Sequence, residues 1–350
     1  MGCLIEMKVL FGIQATGNGH ISRARQLVPE LKKMGIEVDC LFSGRTKDKY
    51  FDMDVFGDYS TREGLTFSTR SGRIDVPKTI FKANFPKLST DIQKLDVSKY
   101  DVILSDFEPV TAWAAKLHDK EVIGIGHQYA FRYPILQAKG SLVDQVVMEN
   151  FAPSQKFCGL HYHHFGHPIL PPIIRKEVYL KSIEEKDFVL VYLPFERRSA
   201  ITNLLREVRD TKFEIYHPDC KKSYQIGNLS WNPPSSHNFT RALNECSRVF
   251  CNAGFMLTSE VIALGKPLLV RPLAAQPEQL SNAKAIEYLG LGSSIKELKA
   301  NTVEAWINSQ FTPQDIAFGD TAAAIASWIY DGCGESVYEL SKRVWKEAAS

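Results

Sequence analysis

Val9-Leu10-Phe11-Gly12-Ile13 reads as a buried strand, and Ile21, Ala24, Leu27, Val28, Leu31 and Met34 then fall on one helical face before Gly35 ends the helix. Val38-Asp39-Cys40-Leu41-Phe42 is the next strand, followed by Val102-Ile103-Leu104, a helix around Val110 to Leu117, and Val122-Ile123-Gly124-Ile125. Strands spaced by helices cannot be joined as hairpins. They predict a parallel sheet with crossover helices. The alternation breaks at residues 165–175, FGHPILPPIIR, whose three prolines suit an extended connector. It then restarts with a strand at Phe188 to Leu193, a helix at Ile201 to Val208, strands at Phe213 to Tyr216 and Val249 to Cys251, a helix from about Thr258 to Leu264, and Leu268-Leu269-Val270.

Two α/β domains follow, since 350 residues exceed what one hydrophobic core usually fills. The expected divisions are 1–168, 169–325 and a final segment 326–350. Ala322 to Ala349 has helical character, with Trp328 and Trp345, and is expected to pack back on the first domain.

The formal charge of +2, from 42 basic and 40 acidic residues, excludes a global electrostatic case for a nucleic-acid partner. Seven cysteines, an odd number without a CxxC pair, fit reduced thiols better than a disulfide framework. The start, Met1-Gly2-Cys3-Leu4-Ile5-Glu6, does not read as a signal peptide, and Glu6 stands where a myristoylation motif wants Ser or Thr. No apolar run approaches the roughly 20 residues needed to span a bilayer. The expected place is the cytoplasm.

Gly17-Asn18-Gly19-His20 occupies the first strand-to-helix turn. In doubly wound folds ligands bind at strand carboxyl ends, where helix amides and dipoles point. The stretch GIQATGNGH lacks the GxGxxG of a dinucleotide site, which disfavours NAD. His20 is either a helix cap at a tight turn or a base that removes a proton from an acceptor hydroxyl.

A second signal lies at residues 251–291, CNAGFMLTSEVIALGKPLLVRPLAAQPEQLSNAKAIEYLGL. After the strand Val249 to Cys251, the loop at Ala253-Gly254-Phe255 leads into a helix carrying Thr258, Ser259 and Glu260. Amides at such a helix start suit a diphosphate, and Glu260 can accept hydrogen bonds from a ribose diol. Arg271, Gln276, Glu278 and Gln279 follow the next strand.

This stretch resembles the donor site of GT-B glycosyltransferases, above all the family 28 group that contains the lipid-linked N-acetylglucosaminyltransferase of peptidoglycan synthesis. A looser likeness extends to glucuronosyl- and glucosyltransferases. The matching elements are Gly254, Ser259-Glu260, Ala263 to Pro267, Pro272, Gln276 to Gln279 and Asn282-Ala283, and GNGH resembles the group's amino-terminal glycine-rich loop. Departures fall at Pro194-Phe195-Glu196, where the group often has a glycine-serine loop, and at Glu278, where the peptidoglycan enzyme has glutamine.

The resemblance implies two Rossmann-like domains with an interdomain cleft, the first on the acceptor side and the second binding the nucleotide sugar. It implies hexosyl transfer from a nucleoside diphosphate, with UDP expected, to a hydroxyl of a glycan or lipid-linked acceptor. His20 is then the base. Gly17, Asn18, Gly19, Asn252, Gly254, Phe255, Met256, Leu257, Thr258, Glu260, Gln276 and Gln279 form the donor-binding set. No metal or other cofactor is expected. Asp106 and Glu108, in SDFEP, and His127 stand at further strand ends of the first domain, where they orient the acceptor or cap loops. Alternatives are a UDP-sugar 2-epimerase, for which Glu108 and His127 are the candidate acid/base groups, and a non-catalytic sugar-nucleotide-binding protein.

Two weaker signals remain. In HYHHFGH, residues 161–167, His161 and His163 would share a strand face, but no cysteine or carboxylate stands beyond them at zinc-ligand spacing. Residues 77–88, PKTIFKANFPKL, interleave lysines with apolar residues. That stretch reads as a peripheral contact with anionic lipid at the inner face of a membrane, or as an acceptor-side loop packed under its own domain.

Overall fold

The computed structural model describes residues 7–65, 69–70, 73–74, 84–138, 149–179, 184–274, 276–314 and 316–349. Two compact units divide the chain. Unit 1 holds Met1–Ile135, Lys139–Ile174 and Phe318–Ser350; unit 2 holds Leu136–Ala138 and Arg175–Ala317.

In unit 1, β1 (Lys8–Gln14), α1 (Asn18–Lys33), β2 (Glu37–Ser43) and β3 (Tyr59–Arg62) are followed by α2 (Phe85–Lys94), β4 (Val102–Asp106) and α3 (Pro109–Leu117). Then come β5 (Val122–Gly126), the single turn α4 (His127–Ala130), β6 (Lys156–Leu160) and β7 (Ile169–Leu170). The sheet order is β3-β2-β1-β4-β5-β6-β7, with every neighbouring pair parallel. β1 pairs with β2 on one side and β4 on the other, so the winding reverses there and the carboxyl ends of β1 and β4 open a crevice. Both faces are covered: Ile21, Ala24, Leu27, Val28 and Leu31 of α1 are buried, as are Val110, Ala112, Ala114 and Ala115 of α3.

Unit 2 contains β8 (Lys186–Tyr192), α5 (Arg198–Arg206), β9 (Phe213–Tyr216), β10 (Tyr224–Ile226), β11 (Leu229–Asn232) and α6 (Ser236–Glu245). They lead into β12 (Cys246–Asn252), α7 (Phe255–Ala263), β13 (Leu268–Arg271), α8 (Pro277–Tyr288), β14 (Ser293–Ser294) and α9 (Ala300–Ile307). Its sheet runs β10-β11-β9-β8-β12-β13-β14, parallel except at β10/β11. Here the winding reverses between β8 and β12, and two residues, Ala253 and Gly254, separate β12 from α7. Trp231, fully buried and stacked on Tyr224, anchors the core with Phe213, Phe250 and Trp306.

The carboxy-terminal segment is two helices, α10 (Thr321–Tyr330) and α11 (Val337–Ala349), broken where Gly332 and Cys333 both take positive φ. In unit 1, α10 packs on α1, while Ser341 Oγ and Trp345 Nε1 of α11 both donate to the Ile169 carbonyl at 2.7 Å. The unit breaks fall after Ile174 and before Phe318, where the sequence was divided after 168 and after 325. The strand expected to carry His161 and His163 on one face ends at Leu160, and the histidines occupy the turns that follow. The proline-rich run, expected as an extended connector, supplies the short buried strand β7 at Ile169–Leu170.

Gly12 shows how tightly the crevice floor is packed. A Cβ there would stand 2.3 Å from Thr111 Oγ1 and 2.8 Å from Glu108 Oε2. Gly12→Ala must displace the start of α3, and is expected to cost about 1–3 kcal/mol by overpacking. Urea unfolding of the two proteins side by side measures it.

Candidate functional site

Two clusters stand at the two strand-end crevices, one in each unit. In unit 1, Gly17 is the N-cap of α1, in extended backbone with no side-chain cap bond, so the helix begins at Asn18 and His20 lies in its first turn. His20 therefore does not cap the helix. Its Nδ1 stands 2.8 Å from Asp106 Oδ1, at the carboxyl end of β4. Arg23, one turn further along α1, grips the same carboxylate twice: Nε donates to Oδ2 at 2.8 Å and Nη2 to Oδ1 at 2.6 Å. Asp106 is fully buried, whereas the His20 side chain keeps 14% of its exposure. Burial alone would push the Asp106 carboxyl up, but Arg23 and His20 hold it below its ordinary value, so it stays an anion.

The surroundings leave this carboxylate little freedom. A Cβ on Gly126 would lie 2.8 Å from Asp106 Oδ1 and 3.3 Å from Arg23 Nη2. Phe107, next in the chain, has φ +52° and is held there by packing on Phe151 and Tyr129. The ionised Asp106 can only accept and so favours a hydrogen on Nδ1, although Arg23 Nη2 also stands 3.1 Å from that nitrogen; in that tautomer Nε2 is the ring nitrogen left to accept a proton.

Glu108 and His127, read at the same strand ends, are engaged elsewhere. Glu108 is the N-cap of α3, accepting from Val110 N at 2.8 Å and Thr111 N at 2.7 Å, and takes the Ser43 hydroxyl at 2.6 Å. Burial raises its pKa against these hydrogen bonds. The His127 ring is buried and its Nδ1 lies 2.8 Å from the Leu160 carbonyl. Asn18 Oδ1 accepts from Arg45 Nη2 at 2.9 Å.

In unit 2, Gly254 caps α7 in extended backbone, again with no side-chain cap bond, and a Cβ added there would meet nothing within 4 Å. The positive end of the helix thus lies beside a residue that lets another group approach closely. Asn282 Nδ2 supports the loop by donating to the Ala253 carbonyl at 3.0 Å, and Asn252 Nδ2 donates to the Arg271 carbonyl at 2.8 Å. The hydroxyls of Thr258 and Ser259 fold back on helix carbonyls, Gly254 O at 2.8 Å and Phe255 O at 2.7 Å. Gln276 is the N-cap of α8, Glu278 lies in its first turn, and Gln279 Oε1 accepts from Leu273 N at 3.1 Å.

Glu260 carries a partner that the sequence reading missed. Arg175, at the end of the proline-rich run, donates from Nε to Oε1 at 2.5 Å and from Nη2 to Oε2 at 2.8 Å. Burial disfavours the guanidinium charge, yet Glu260 raises the Arg175 pKa above its ordinary value, while burial pushes the Glu260 carboxyl up against the same pairing. Two oxygens offer about four lone-pair directions. A diol can still bond to a carboxylate that one bidentate guanidinium holds in place.

The structure groups the sequence-read residues differently from the donor set drawn above. Gly17, Asn18 and Gly19 belong to unit 1 with His20 and Asp106, whereas Asn252, Gly254 to Thr258, Glu260, Gln276 and Gln279 belong to unit 2. The Asp106–His20 contact joins residues 86 apart, and only the i, i+3 spacing of His20 and Arg23 on a helix hinted that both could meet one strand end.

A family model described as glycosyl transferase family 1 matches residues 7–310. The UDP-N-acetylglucosamine--N-acetylmuramyl-(pentapeptide) pyrophosphoryl-undecaprenol N-acetylglucosamine transferase of Alkaliphilus metalliredigens (strain QYMF) is 32% identical over 110 residues, 28% of this chain. The alignment spans only 30% of that relative's length. Among solved structures, the glycotransferase of kitacinnamycin matches with a TM-score of 0.63 at 12% identity, covering 97% of this chain and 99% of that one. MurG of Acinetobacter baumannii matches with a TM-score of 0.55 at 12% identity, covering 98% of this chain and 96% of that one. These likenesses extend over both units and show the GT-B fold.

Removing the Asp106 charge tests the cluster's energetics. Asp106→Asn leaves Arg23 buried opposite a neutral amide, an expected loss of about 3–5 kcal/mol at pH 7. The folded carboxyl titrates below its ordinary 3.8, so its contribution is complete above that value and fades as pH falls through the lowered one. Urea unfolding at pH 7 and at successively lower pH should show the gap between wild type and variant closing only on the acid side.

Proposed function

The chain belongs to glycosyl transferase family 1, and on that premise we propose that it moves a hexose from a UDP-sugar to a hydroxyl of a glycan or lipid-linked acceptor. The observation that carries this reading is the His20–Asp106 contact at 2.8 Å, at the strand ends where the winding of unit 1 reverses.

In the proposed step, Asp106 holds the Nδ1 hydrogen of His20, so Nε2 receives the proton of the acceptor hydroxyl. The acceptor oxygen forms its bond to the sugar's anomeric carbon as the bond from that carbon to the β-phosphate oxygen breaks, and in-line displacement inverts the centre. The imidazolium left behind is stabilised by the ionised Asp106. Charge on the departing diphosphate falls to the first-turn amides and dipole of α7. The scheme uses no metal ion. In the same scheme Glu260, steadied by Arg175, takes the ribose diol, and Gln276 and Gln279 are assigned to the sugar.

Epimerisation at carbon 2 is less well supported, because Glu108 is engaged as a helix cap and His127 by a backbone carbonyl. Against a sugar-nucleotide-binding protein without turnover, this reading rests on a histidine that a buried carboxylate orients.

No helix among the described residues is long and apolar enough to cross a membrane. A cytoplasmic location with peripheral contact through residues 77–88 belongs to the same proposal. Of that stretch, 77–83 lie outside the described residues, while Phe85 starts α2 with 48% of its surface exposed.

Two measurements test the proposal. His20→Ala is expected to lose about 10²–10⁴-fold in turnover, the usual worth of a positioned base, while UDP still raises its melting temperature as in wild type. Equal turnover of the variant on a panel of UDP- and GDP-sugars with glycan and lipid acceptors would remove His20 from the chemistry. The chain is also expected to float with anionic liposomes and not with neutral ones; absence of flotation would remove the membrane contact.

A further inference from the structure

Arg45 stands two residues past the end of β2, beside the His20 turn. Its Nη2 donates to Asn18 Oδ1 at 2.9 Å, and Asn18 is two residues from His20. The side chain is partly buried, its guanidinium lies 5.1 Å from the centroid of the Tyr50 ring, and Tyr50 Oη donates to the Arg45 carbonyl at 3.2 Å. Nε is buried with no hydrogen-bond acceptor among the described residues, and no carboxylate among them pairs with this guanidinium.

The loop that carries Arg45 is built rather than loose. Ala15 N donates to Ser43 O at 2.7 Å and Gly44 N to Glu63 O at 3.0 Å. Gly44, at φ +107°, packs where a Cβ would stand 2.7 Å from Thr16 Cγ2. Tyr50 is fixed against Phe42 and Tyr59 in turn. A guanidinium is a planar fork of five donors matched to two oxygens of one anion, and here Asn18 is the one hydrogen-bond acceptor it meets among the described residues, so Nη1 and a hydrogen of Nη2 are left for such a partner while Nε is covered. Burial depresses its pKa, the direction a bound anion would reverse.

We infer that Arg45 receives an anionic group on the acceptor, a phosphate or a carboxylate, so that the hydroxyl delivered to His20 belongs to an acidic molecule. This rests on the transferase reading for the word acceptor, but the anion site stands or falls by itself. The first turn of α1, which contains no acidic residue and no side-chain cap, adds a favourable dipole beside it.

The test is the melting temperature of the full chain with phenyl phosphate, benzoate or benzyl alcohol, each with and without saturating UDP, which fills the diphosphate site of unit 2. Wild type is expected to be stabilised by phenyl phosphate, by benzoate or by both, in the presence of UDP, and not by the alcohol. Arg45→Met is expected to weaken that anion binding about tenfold or more, and Arg45→Lys, which keeps charge but not the fork, to fall between. Preference for phenyl phosphate or for benzoate assigns the acceptor's acid as phosphate or carboxylate. No stabilisation of wild type by either anion, or equal stabilisation of Arg45→Met, overturns the inference. An unchanged UDP response in Arg45→Met shows that the variant is folded. A wild type indifferent to UDP counts against the transferase reading instead, and the arms without UDP then decide Arg45.

Discussion

A buried carboxylate must find positive partners, and in unit 1 that requirement organises the site. Asp106 gives up all its exposure at the end of a central strand, and Arg23 and His20 compensate it from one face of α1. Much nearby follows from the need to keep that contact. Gly126 leaves the space, Phe107 accepts an unfavourable backbone conformation, and Gly17 lets α1 begin without a side chain across its end. A histidine anchored this way has one nitrogen fixed and one available, which is the asymmetry proton abstraction needs.

Unit 2 answers a different demand with backbone. Its α7 end needs no charged side chain, because a glycine N-cap and first-turn amides already concentrate positive potential. The charged groups lie behind it. Arg175 and Glu260 form a two-pronged pair across 85 residues of sequence, fixing the carboxylate's plane before any ligand arrives. The two units therefore place positive charge at their strand ends by separate means, one through charged side chains and one through a helix dipole.

The doubly wound organisation of both units was legible because short continuous apolar runs and period-3.6 apolar patterns are local, and Val9 to Ile13 and Leu268 to Val270 announced their strands plainly. The starts of helices were harder. Sequence reading began α7 at about Thr258, but Phe255 to Leu257 already belong to it, since glycine caps leave no side-chain signature. Gly254, Glu260 and His20 could be picked out because their motif neighbours are contiguous. Asp106 and Glu108 looked alike, two carboxylates in SDFEP; only the backbone turn at Phe107 sends one to the imidazole and the other to cap α3. Arg23, Arg45 and Arg175 went unread because what makes each matter is a partner 83, 27 or 85 positions away.

The helices α10 and α11 lie in unit 1, although unit 2 intervenes in sequence. During synthesis, therefore, the second unit has emerged in full while the first still lacks the surface that covers α1 and the Ile169 carbonyl. Vectorial synthesis usually lets the leading domain mature first. Here the leading unit must wait for α10 and α11, so a product cut before Thr321 would hold the residues of unit 2 and an unfinished unit 1.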